Sequence, residues 1–374
     1  MGKQFSAKKP LSFGGRFLIV GFHEKVLSKE TIETIREVQP TGFIFFTRNL
    51  KNPSQFRSLV DTLRSILNHE PILTIDQEGG RVSRFKMLGS EPPSVQDLGE
   101  KDDTELIRLH GELTGKLLRL FGLNLDLVPV LDLKTNEEEH NSLKGRTFAV
   151  DPLKVSLYAQ EFIDGLKSQG ILTCGKHFPG YSFAKCDPHL ELPLILRTKK
   201  EMESHEWVPF KRLQDKCDSF MLAHVRNPNL DPENHPASLS MAVVSNILRK
   251  EWKFDKLLIS DDIDMGAIID NYSFKDSLEL PLKAGSDLIL LCHRFDKLKE
   301  AASILSELPE SVTEAPSVRI ENFRKLLAPP LSFSLEEFQN IDQQIYSLRE
   351  KVLGKEKAKM RSPEDGKRSP VETF

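Results

Sequence analysis

The chain alternates between short apolar segments and longer amphipathic stretches over most of its 374 residues. The apolar segments have the length and composition of buried strands, and the stretches between them repeat apolar residues at helical spacing. Eight strands, most of them separated from the next by a helix, predict a single (β/α)8 barrel of the TIM type. A doubly wound open sheet is the alternative, but its glycine-rich phosphate-binding turn is missing after the first strand. The predicted strands are residues 16–21, 42–46, 72–75, 123–130, 171–174, 219–222, 257–260 and 287–292.

The barrel is expected to form one domain over residues 13–353. Residues 1–12 are expected to form a flexible arm, and helices at 298–308 and 335–353 are expected to close the domain. Residues 354–374 are rich in Lys, Glu, Arg, Ser and Pro and hold almost no large apolar side chain. This composition cannot bury enough apolar surface to order a chain, so it predicts a disordered tail.

The overall composition is that of a soluble globular protein, with 39% hydrophobic and 29% charged residues. A net charge of −3 gives no field that would attract nucleic acid or a membrane surface, so neither is expected as a partner. The four cysteines form no CxxC motif, which is typical of a reducing compartment and favours a cytoplasmic location. Residues 1–6 match the loose myristoylation pattern, which we interpret as a chance match.

Polar residues follow the predicted strands at the ends where a barrel enzyme carries its active site. One polar strand end alone is usually a cap or a turn, but so many on one rim predict a site. In chain order these residues are Asp76, Asp132, Lys176 with His177, His224, Asp261 with Asp262, and His293.

Residues 176–180 and the Asp187-Pro188-His189 segment are the most informative part of this rim. An imidazole two residues from a carboxylate is a device for proton transfer near neutral pH. Two carboxylates, Asp261 and Asp262, follow the seventh predicted strand directly. From this segment alone they could supply a nucleophile, bind a metal or cap a helix, and the segment does not choose between them.

Other segments fit the recognition of a polyol. Asp76 and Arg84 could hydrogen-bond neighbouring hydroxyls, and glycines between them permit close approach of the backbone. Taken alone, composition favours a strand-to-helix turn with a surface ion pair, and Arg146 alone favours a solvated side chain.

Several of these segments together resemble one family. Residues 75–82 (IDQEGGRV), 145–148 (GRTF), 176–180 (KHFPG), 223–225 (AHV), 236–240 (PASLS) and 260–267 (SDDIDMGA) occur in chain order. In this they resemble the bacterial β-N-acetylglucosaminidases of glycoside hydrolase family 3, of the NagZ type. The resemblance covers about residues 15–293.

The resemblance implies a (β/α)8 barrel, retention of anomeric configuration, no metal or other cofactor, and a cytosolic role in recycling peptidoglycan fragments. It implies that Asp261 is the catalytic nucleophile, that His189 is the general acid/base, and that Asp187 orients and charges its imidazole. It also implies a set of residues that bind the non-reducing N-acetylglucosamine (GlcNAc), namely Asp76, Arg84, Arg146, Lys176 and His177. His224 is a further candidate for contact with the substrate.

The chemistry of a retaining glycosidase agrees with these roles, because it needs a carboxylate nucleophile and a proton donor on opposite sides of the bond. A neutral imidazole also avoids repelling the ionised Asp261. Two features depart from the family pattern: residues 181–183 (YSF) replace a His-Gly-Asp segment, and Pro188 replaces Ser or Thr. Losing a glycine and gaining a proline predicts a stiffer loop, with slower turnover or an altered leaving-group preference.

The sequence therefore predicts a monomeric exo-β-N-acetylglucosaminidase that acts on a small carbohydrate, such as a GlcNAc-containing muropeptide. Three alternatives remain open. The first is a phosphorylase, because a neutral histidine tolerates an incoming phosphate, and the second is a catalytically weak protein that binds GlcNAc or muropeptides. The third is a metal hydrolase that uses His177, His224 and Asp261, although Lys176 would repel the cation.

Overall fold

The computed structural model describes residues 9–136 and 142–362, and its main feature is a closed barrel of eight parallel strands. Around the barrel the order is β1, β2, β3, β6, β7, β8, β9 and β10, and β10 pairs again with β1. This confirms the predicted fold, with a barrel strand inside or overlapping each of the eight predicted segments. The strands are β1 (Leu18–Val20), β2 (Gly42–Phe45), β3 (Ile72–Ile75), β4 (Gln77–Gly79), β5 (Val82–Ser83), β6 (Leu125–Asp126), β7 (Leu172–Phe178), β8 (Ser219–Leu222), β9 (Leu257–Asp262) and β10 (Leu288–Leu291).

Helices surround the barrel and alternate with its strands. Local signals explain where several begin and end: Asn52 caps α3 ahead of Pro53, Asp103 caps α5, and Gly122 ends α5 in a left-handed conformation. A π-helix at Ala242–Glu251 lies in the stretch of helical spacing between β8 and β9. The α-helices are α1 (Leu11–Gly15), α2 (Lys29–Val38), α3 (Pro53–Ile66), α4 (Val95–Lys101), α5 (Thr104–Phe121), α6 (Pro152–Ser168), α7 (Lys199–Ser204), α8 (Trp207–Leu213), α9 (Gly266–Ile269), α10 (Phe274–Ala284), α11 (Leu298–Ser306), α12 (Glu310–Arg324), α13 (Leu335–Leu353) and α14 (Lys355–Ala358).

The core fills the barrel and the space between the barrel and its helices. The barrel strands are almost entirely buried, as is expected of parallel strands that are covered on both faces. Helices α5 and α6 cross closely because Gly111 and Gly165 face each other's helix. A Cβ atom at Gly111 would lie 2.4 Å from the carbonyl oxygen of Phe162, so no larger residue fits there. Among the described residues, no helix is both long and apolar enough to cross a membrane.

A small hairpin that the sequence did not reveal follows β3. Strands β4 and β5 pair antiparallel, with Gln77 opposite Ser83 and Gly79 opposite Val82. Gly80 and Arg81 form the turn, and Gly79 and Gly80 have φ angles of +107° and +55°, which residues with side chains rarely adopt. The hairpin matters because it holds the polar residues after β3 against the end of the barrel.

The C-terminal end of the described chain is ordered further than we expected. Helix α14 lies within the predicted tail, and the buried guanidinium of Arg349 donates to the carbonyl oxygen of Ala358 at 3.1 Å. Arg349 also forms a buried ion pair with Glu91 at 3.0 Å. These contacts fix a polar segment that composition alone marks as unstructured. At the other end, α1 includes two residues of the predicted arm, while residues 1–8, with the myristoylation pattern, and residues 363–374 lie outside the described residues.

Candidate active site

A pocket opens at the C-terminal end of the barrel, where the loops after the strands meet. Arg84, Asp187 and His224 do not belong to its lining, but each bonds to a residue that does. The other predicted site residues line the pocket together: Asp76, Arg146, Lys176, His177, His189 and Asp261.

One side of the pocket carries a buried network of opposite charges. The Lys176 ammonium lies 2.6 Å from Asp76 Oδ1 and 2.7 Å from Glu78 Oε1. Arg146 binds both carboxylate oxygens of Glu78 at 2.8 Å, and Arg84 lies 3.3 Å from Asp76 Oδ2. Such burial is tolerated only because every charge is paired, and the pairing fixes the side chains in place.

The network keeps its carboxylates ionised. Burial alone would raise the pKa of Asp76, but the charges of Lys176 and Arg84 outweigh burial and lower it. For Glu78 the charges of Arg146 and Lys176 likewise outweigh burial and hold the pKa well below its usual range. An ionised Asp76 at the pocket surface can accept hydrogen bonds from hydroxyl groups.

Glu78 was given no role on sequence grounds, although it belongs to the quoted 75–82 segment. Its function is to bridge Arg146, on the loop after β6, to Lys176, on β7. The two glycines that follow Glu78 were the available signal, since they mark a backbone that turns tightly beside a ligand site.

His177 is held in one orientation by Asp132, the second residue whose role the sequence did not reveal. His177 Nδ1 lies 2.7 Å from Asp132 Oδ2, and the backbone N–H of His177 donates to the same oxygen at 3.0 Å. His177 Nε2 lies 3.3 Å from Arg146 Nη2, and a guanidinium can only donate. Both contacts are satisfied when Nδ1–H donates to Asp132 and Nε2 accepts from Arg146.

The predicted dyad is formed in the structure. His189 Nδ1 lies 2.6 Å from Asp187 Oδ1, and the backbone N–H of His189 donates to the same oxygen at 3.0 Å. Burial would raise the pKa of Asp187, but its hydrogen bonds and interaction with His189 outweigh burial and lower it. An ionised Asp187 can orient the imidazole and stabilise its protonated form.

The loop that carries the dyad is attached at both ends. At its start, Tyr181 Oη lies 2.9 Å from Ser142 Oγ, and Ser182 Oγ accepts from the backbone N–H of Leu133 at 2.8 Å. At its far side the loop lies on α9, where the N–H of Gly266 donates to the carbonyl oxygen of His189 at 3.1 Å. The residues that depart from the family pattern thus anchor the loop with its histidine directed into the pocket.

The two carboxylates at the end of β9 have different surroundings. Asp261 is partly exposed in the pocket, and one of its oxygens accepts from the N–H of Asp262 at 2.9 Å. Asp262 also borders the pocket but is more deeply buried, and its Oδ1 accepts from the N–H groups of Asp264 and Cys292. Burial, and then the charge of Asp264, raises the pKa of Asp262 well above its usual value.

His224 is fully buried and lies behind this strand end. Its Nδ1 lies 2.7 Å from Ser238 Oγ, and its Nε2 lies 2.9 Å from the carbonyl oxygen of Asp262. In this position the ring supports the backbone next to Asp261, and substrate contact by His224 stays a prediction. A metal ion shared by His177, His224 and Asp261 would have to displace these bonds and the one between His177 and Asp132. In the described ranges, no cluster of three or more His, Cys, Asp or Glu side chains is arranged to hold a metal ion.

Comparison with known proteins agrees with this geometry. Residues 15–322 match the model of the glycosyl hydrolase family 3 N-terminal domain. A beta-hexosaminidase of Pseudomonas aeruginosa is 34% identical over 300 residues, covering 80% of this chain and 87% of the relative. One from Haemophilus influenzae is 35% identical over 282 residues, covering 74% and 79%.

Solved structures show the same relationship. A family 3 β-N-acetylglucosaminidase from Paenibacillus superposes with a TM-score of 0.85 at 27% identity, covering 92% of this chain and 69% of that one. NagZ from Neisseria gonorrhoeae gives a TM-score of 0.77 at 25% identity, covering 89% and 97%.

Fold, pocket and comparisons together define a barrel glycoside hydrolase. More particularly, the chain belongs to glycoside hydrolase family 3 and is similar to its beta-hexosaminidases.

Proposed function

We propose that this protein is a retaining exo-β-N-acetylglucosaminidase, in which Asp261 is the nucleophile and His189 is the general acid/base. The observation that carries the proposal is the joint position of the two groups: both line one pocket, and His189 bonds to the ionised Asp187. A retaining glycosidase requires this pair, a carboxylate and a separate proton donor around one glycosidic bond.

The first chemical step forms a covalent intermediate. A carboxylate oxygen of Asp261 attacks the anomeric carbon, the bond to the leaving oxygen breaks, and His189 gives that oxygen a proton. The proton moves through Nε2, because Nδ1 is bonded to Asp187. Asp187 stabilises the imidazolium before the proton is transferred, as an orienting carboxylate does in other His–Asp pairs.

The second step returns the enzyme to its starting state. Neutral His189 removes a proton from a water molecule, whose oxygen attacks the anomeric carbon and breaks the bond to Asp261. The sugar leaves with its original anomeric configuration. Asp261 is suited to this role because it is more exposed than Asp262, whose raised pKa opposes ionisation.

The charge network provides the binding of the terminal sugar. Asp76 accepts from hydroxyl groups, Arg146 and Lys176 supply donors, and His177 Nε2 adds a further polar atom on the same side. Arg84 takes part in sugar binding through Asp76, to which it bonds. Because each of these groups is held by buried partners, little conformational entropy is lost when the sugar binds. We propose that the sugar is the non-reducing GlcNAc of a small carbohydrate.

The natural substrate and cellular setting follow from the resemblance to enzymes of the NagZ type. We infer a peptidoglycan-derived muropeptide as the substrate and a monomeric enzyme in the cytoplasm. Incubating the protein with defined GlcNAc–anhydromuramic acid peptides and identifying the released sugar by mass spectrometry tests this substrate. Cleavage of nitrophenyl GlcNAc without cleavage of any muropeptide would contradict it.

Substitution of Asp261 by Asn tests the catalytic assignment. Hydrolysis of nitrophenyl N-acetylglucosaminide should fall to background, and turnover that survives the change would defeat the assignment. The matched control is Asp270→Asn, a charge-neutralising change at the exposed end of α9 that should leave turnover unchanged.

Phosphorolysis is a second candidate, because the proposed proton donor is a histidine rather than a carboxylate that would repel phosphate, and the cations Arg146 and Lys176 line the same pocket. Product analysis with and without inorganic phosphate separates the two reactions. Free GlcNAc at the same rate in both conditions supports hydrolysis, whereas GlcNAc 1-phosphate formed only with phosphate supports the phosphorylase.

A further inference from the structure

A second group of polar side chains lines the pocket on the side away from the charge network. His293 follows β10 and borders the pocket together with Asp262. In the barrel, β10 lies between β1 and β9, which ends in Asp262, whereas Lys176 lies on β7. His293 therefore borders the pocket at a different edge from the charge network.

The ring of His293 is held in a fixed position. It contacts the ring of Phe46, with centroids 5.2 Å apart and the two planes tilted by 41°. Its backbone N–H donates to Asp264 Oδ2 at 2.7 Å, and its carbonyl oxygen lies 3.0 Å from His23 Nε2. A side chain held through its backbone and its ring is preorganised to bind.

The protonation of the ring follows from its neighbour Arg48. Arg48 Nη1 lies 3.2 Å from His293 Nδ1, and since a guanidinium has no acceptor, Nδ1 must accept. Burial, and then the charge of Arg48, lowers the pKa of His293 to about 3, so the ring is neutral. The single ring proton is consequently on Nε2.

The Nε2 donor lies beside a second polar atom of the pocket. It is 3.4 Å from Asp262 Oδ2. A sugar hydroxyl that reaches both atoms can form a hydrogen bond with each, because a hydroxyl both donates and accepts. Two polar atoms side by side at a pocket wall are the arrangement that distinguishes a hydroxyl from a hydrogen or an ether.

We propose that His293 is a specificity-determining residue that donates a hydrogen bond from Nε2 to a ring hydroxyl of the terminal sugar. The hydroxyl at C3, C4 or C6 also forms a hydrogen bond with the carboxyl group of Asp262. This inference rests on the proposed function, since it places the sugar in the same pocket. By this proposal, the β10 side of the pocket contributes to sugar specificity in addition to the charge network.

A cycle that combines variants with substrate analogues tests the contact. The variants are His293→Phe, which keeps the packing on Phe46 without a donor, and His293→Gln, whose amide restores one. His205→Ala is the control, because His205 is exposed and bonds only locally on the outer helices. The substrates are nitrophenyl β-GlcNAc, its 3-, 4- and 6-deoxy analogues, and nitrophenyl β-glucoside, which lacks the acetamido group.

The expected result is a coupling confined to one hydroxyl. On the full substrate, His293→Phe should lower kcat/KM about 3- to 15-fold, the range for one uncharged hydrogen bond. His293→Gln should recover part of the loss, and the control should match wild type. On one deoxy analogue the ratio of wild type to His293→Phe should approach 1. An unchanged ratio on all three deoxy analogues, or a ratio that approaches 1 only on the glucoside, would overturn the proposal.

Failure of the proposed function gives a different outcome. If no glycoside is turned over by any form of the protein, the proposed function fails while the contact is still measurable. Calorimetric titration with GlcNAc and with its deoxy derivatives then gives the Kd of wild type and of His293→Phe for each sugar, and these values can be compared in the same way. Binding of GlcNAc that is equal in wild type and His293→Phe would contradict the contact by this route.

Discussion

Replacing Gly266 by alanine should displace the loop that carries Asp187 and His189 without changing either residue. A Cβ atom at position 266 would lie 2.8 Å from the carbonyl oxygen of His189 and 2.9 Å from that of Leu190. An ordinary carbon–oxygen contact begins near about 3.3 Å, so the loop must withdraw by about 0.5 Å. That shift reaches the tolerance of a catalytic arrangement, which is also about 0.5 Å. The hydrogen bond from Gly266 N–H to His189 would weaken with it.

The effect should depend on how much the leaving group needs a proton. General acid catalysis typically accelerates a reaction by about 10²- to 10⁴-fold. We expect Gly266→Ala to lose part of this acceleration and to lower kcat/KM by about 10- to 100-fold on methyl β-GlcNAc or a disaccharide. A dinitrophenyl glycoside, whose leaving group needs no proton, should lose less than about threefold. Ala267→Gly, which adds no atom and keeps its N–H, is the control, and thermal melting checks folding. Equal losses on both kinds of substrate would refute the role of loop docking.

Three further outcomes follow from the charges. Glu78→Gln leaves two buried cations with a neutral partner and should destabilise the fold by about 3 kcal/mol in urea titration. Glu100→Gln, in an exposed pair, should cost no more than about 1 kcal/mol. Asp132→Asn removes the charged acceptor of His177 and should lower kcat/KM tenfold or more at an unchanged pH optimum, so a near-normal rate would contradict that role. Burial raises the pKa of Asp76, but the neighbouring cations lower it by more, so the net pKa lies below its usual value. The ionised form of Asp76 therefore stabilises the fold above about pH 4, and this stabilisation is lost as the pH falls below that value. The urea midpoint of Asp76→Asn should therefore fall less than that of wild type between about pH 5 and pH 3.

The barrel was predictable because its strands are buried on both faces. Such strands are continuous apolar runs, and each of the eight is visible as a run without knowledge of its neighbours. The set of polar residues at the rim could also be predicted from the strands, because residues just past the ends of parallel strands gather at one end of a barrel. The dyad was predictable for a local reason, because Asp187 and His189 are two residues apart.

Other features depend on contacts between residues that are far apart in the sequence, and the sequence alone does not show such contacts. Glu78 meets Arg146 across 68 residues, and Asp132 meets His177 across 45. The five residues of strands β4 and β5 are too few to show a strand pattern. The ordered segment after Gly354 depends on the buried Arg349, a contact that its polar composition conceals.

Trapping the covalent intermediate tests the central claim most directly. The enzyme would be incubated with a 2-fluoro glycosyl inactivator, digested and analysed by mass spectrometry, and the adduct would be located by crystallography. The glycosyl group is expected on Asp261, with His189 Nε2 facing the bond that has broken. A glycosyl group carried by Asp262, or an inactivated enzyme with no sugar attached to either carboxylate, would contradict the mechanism.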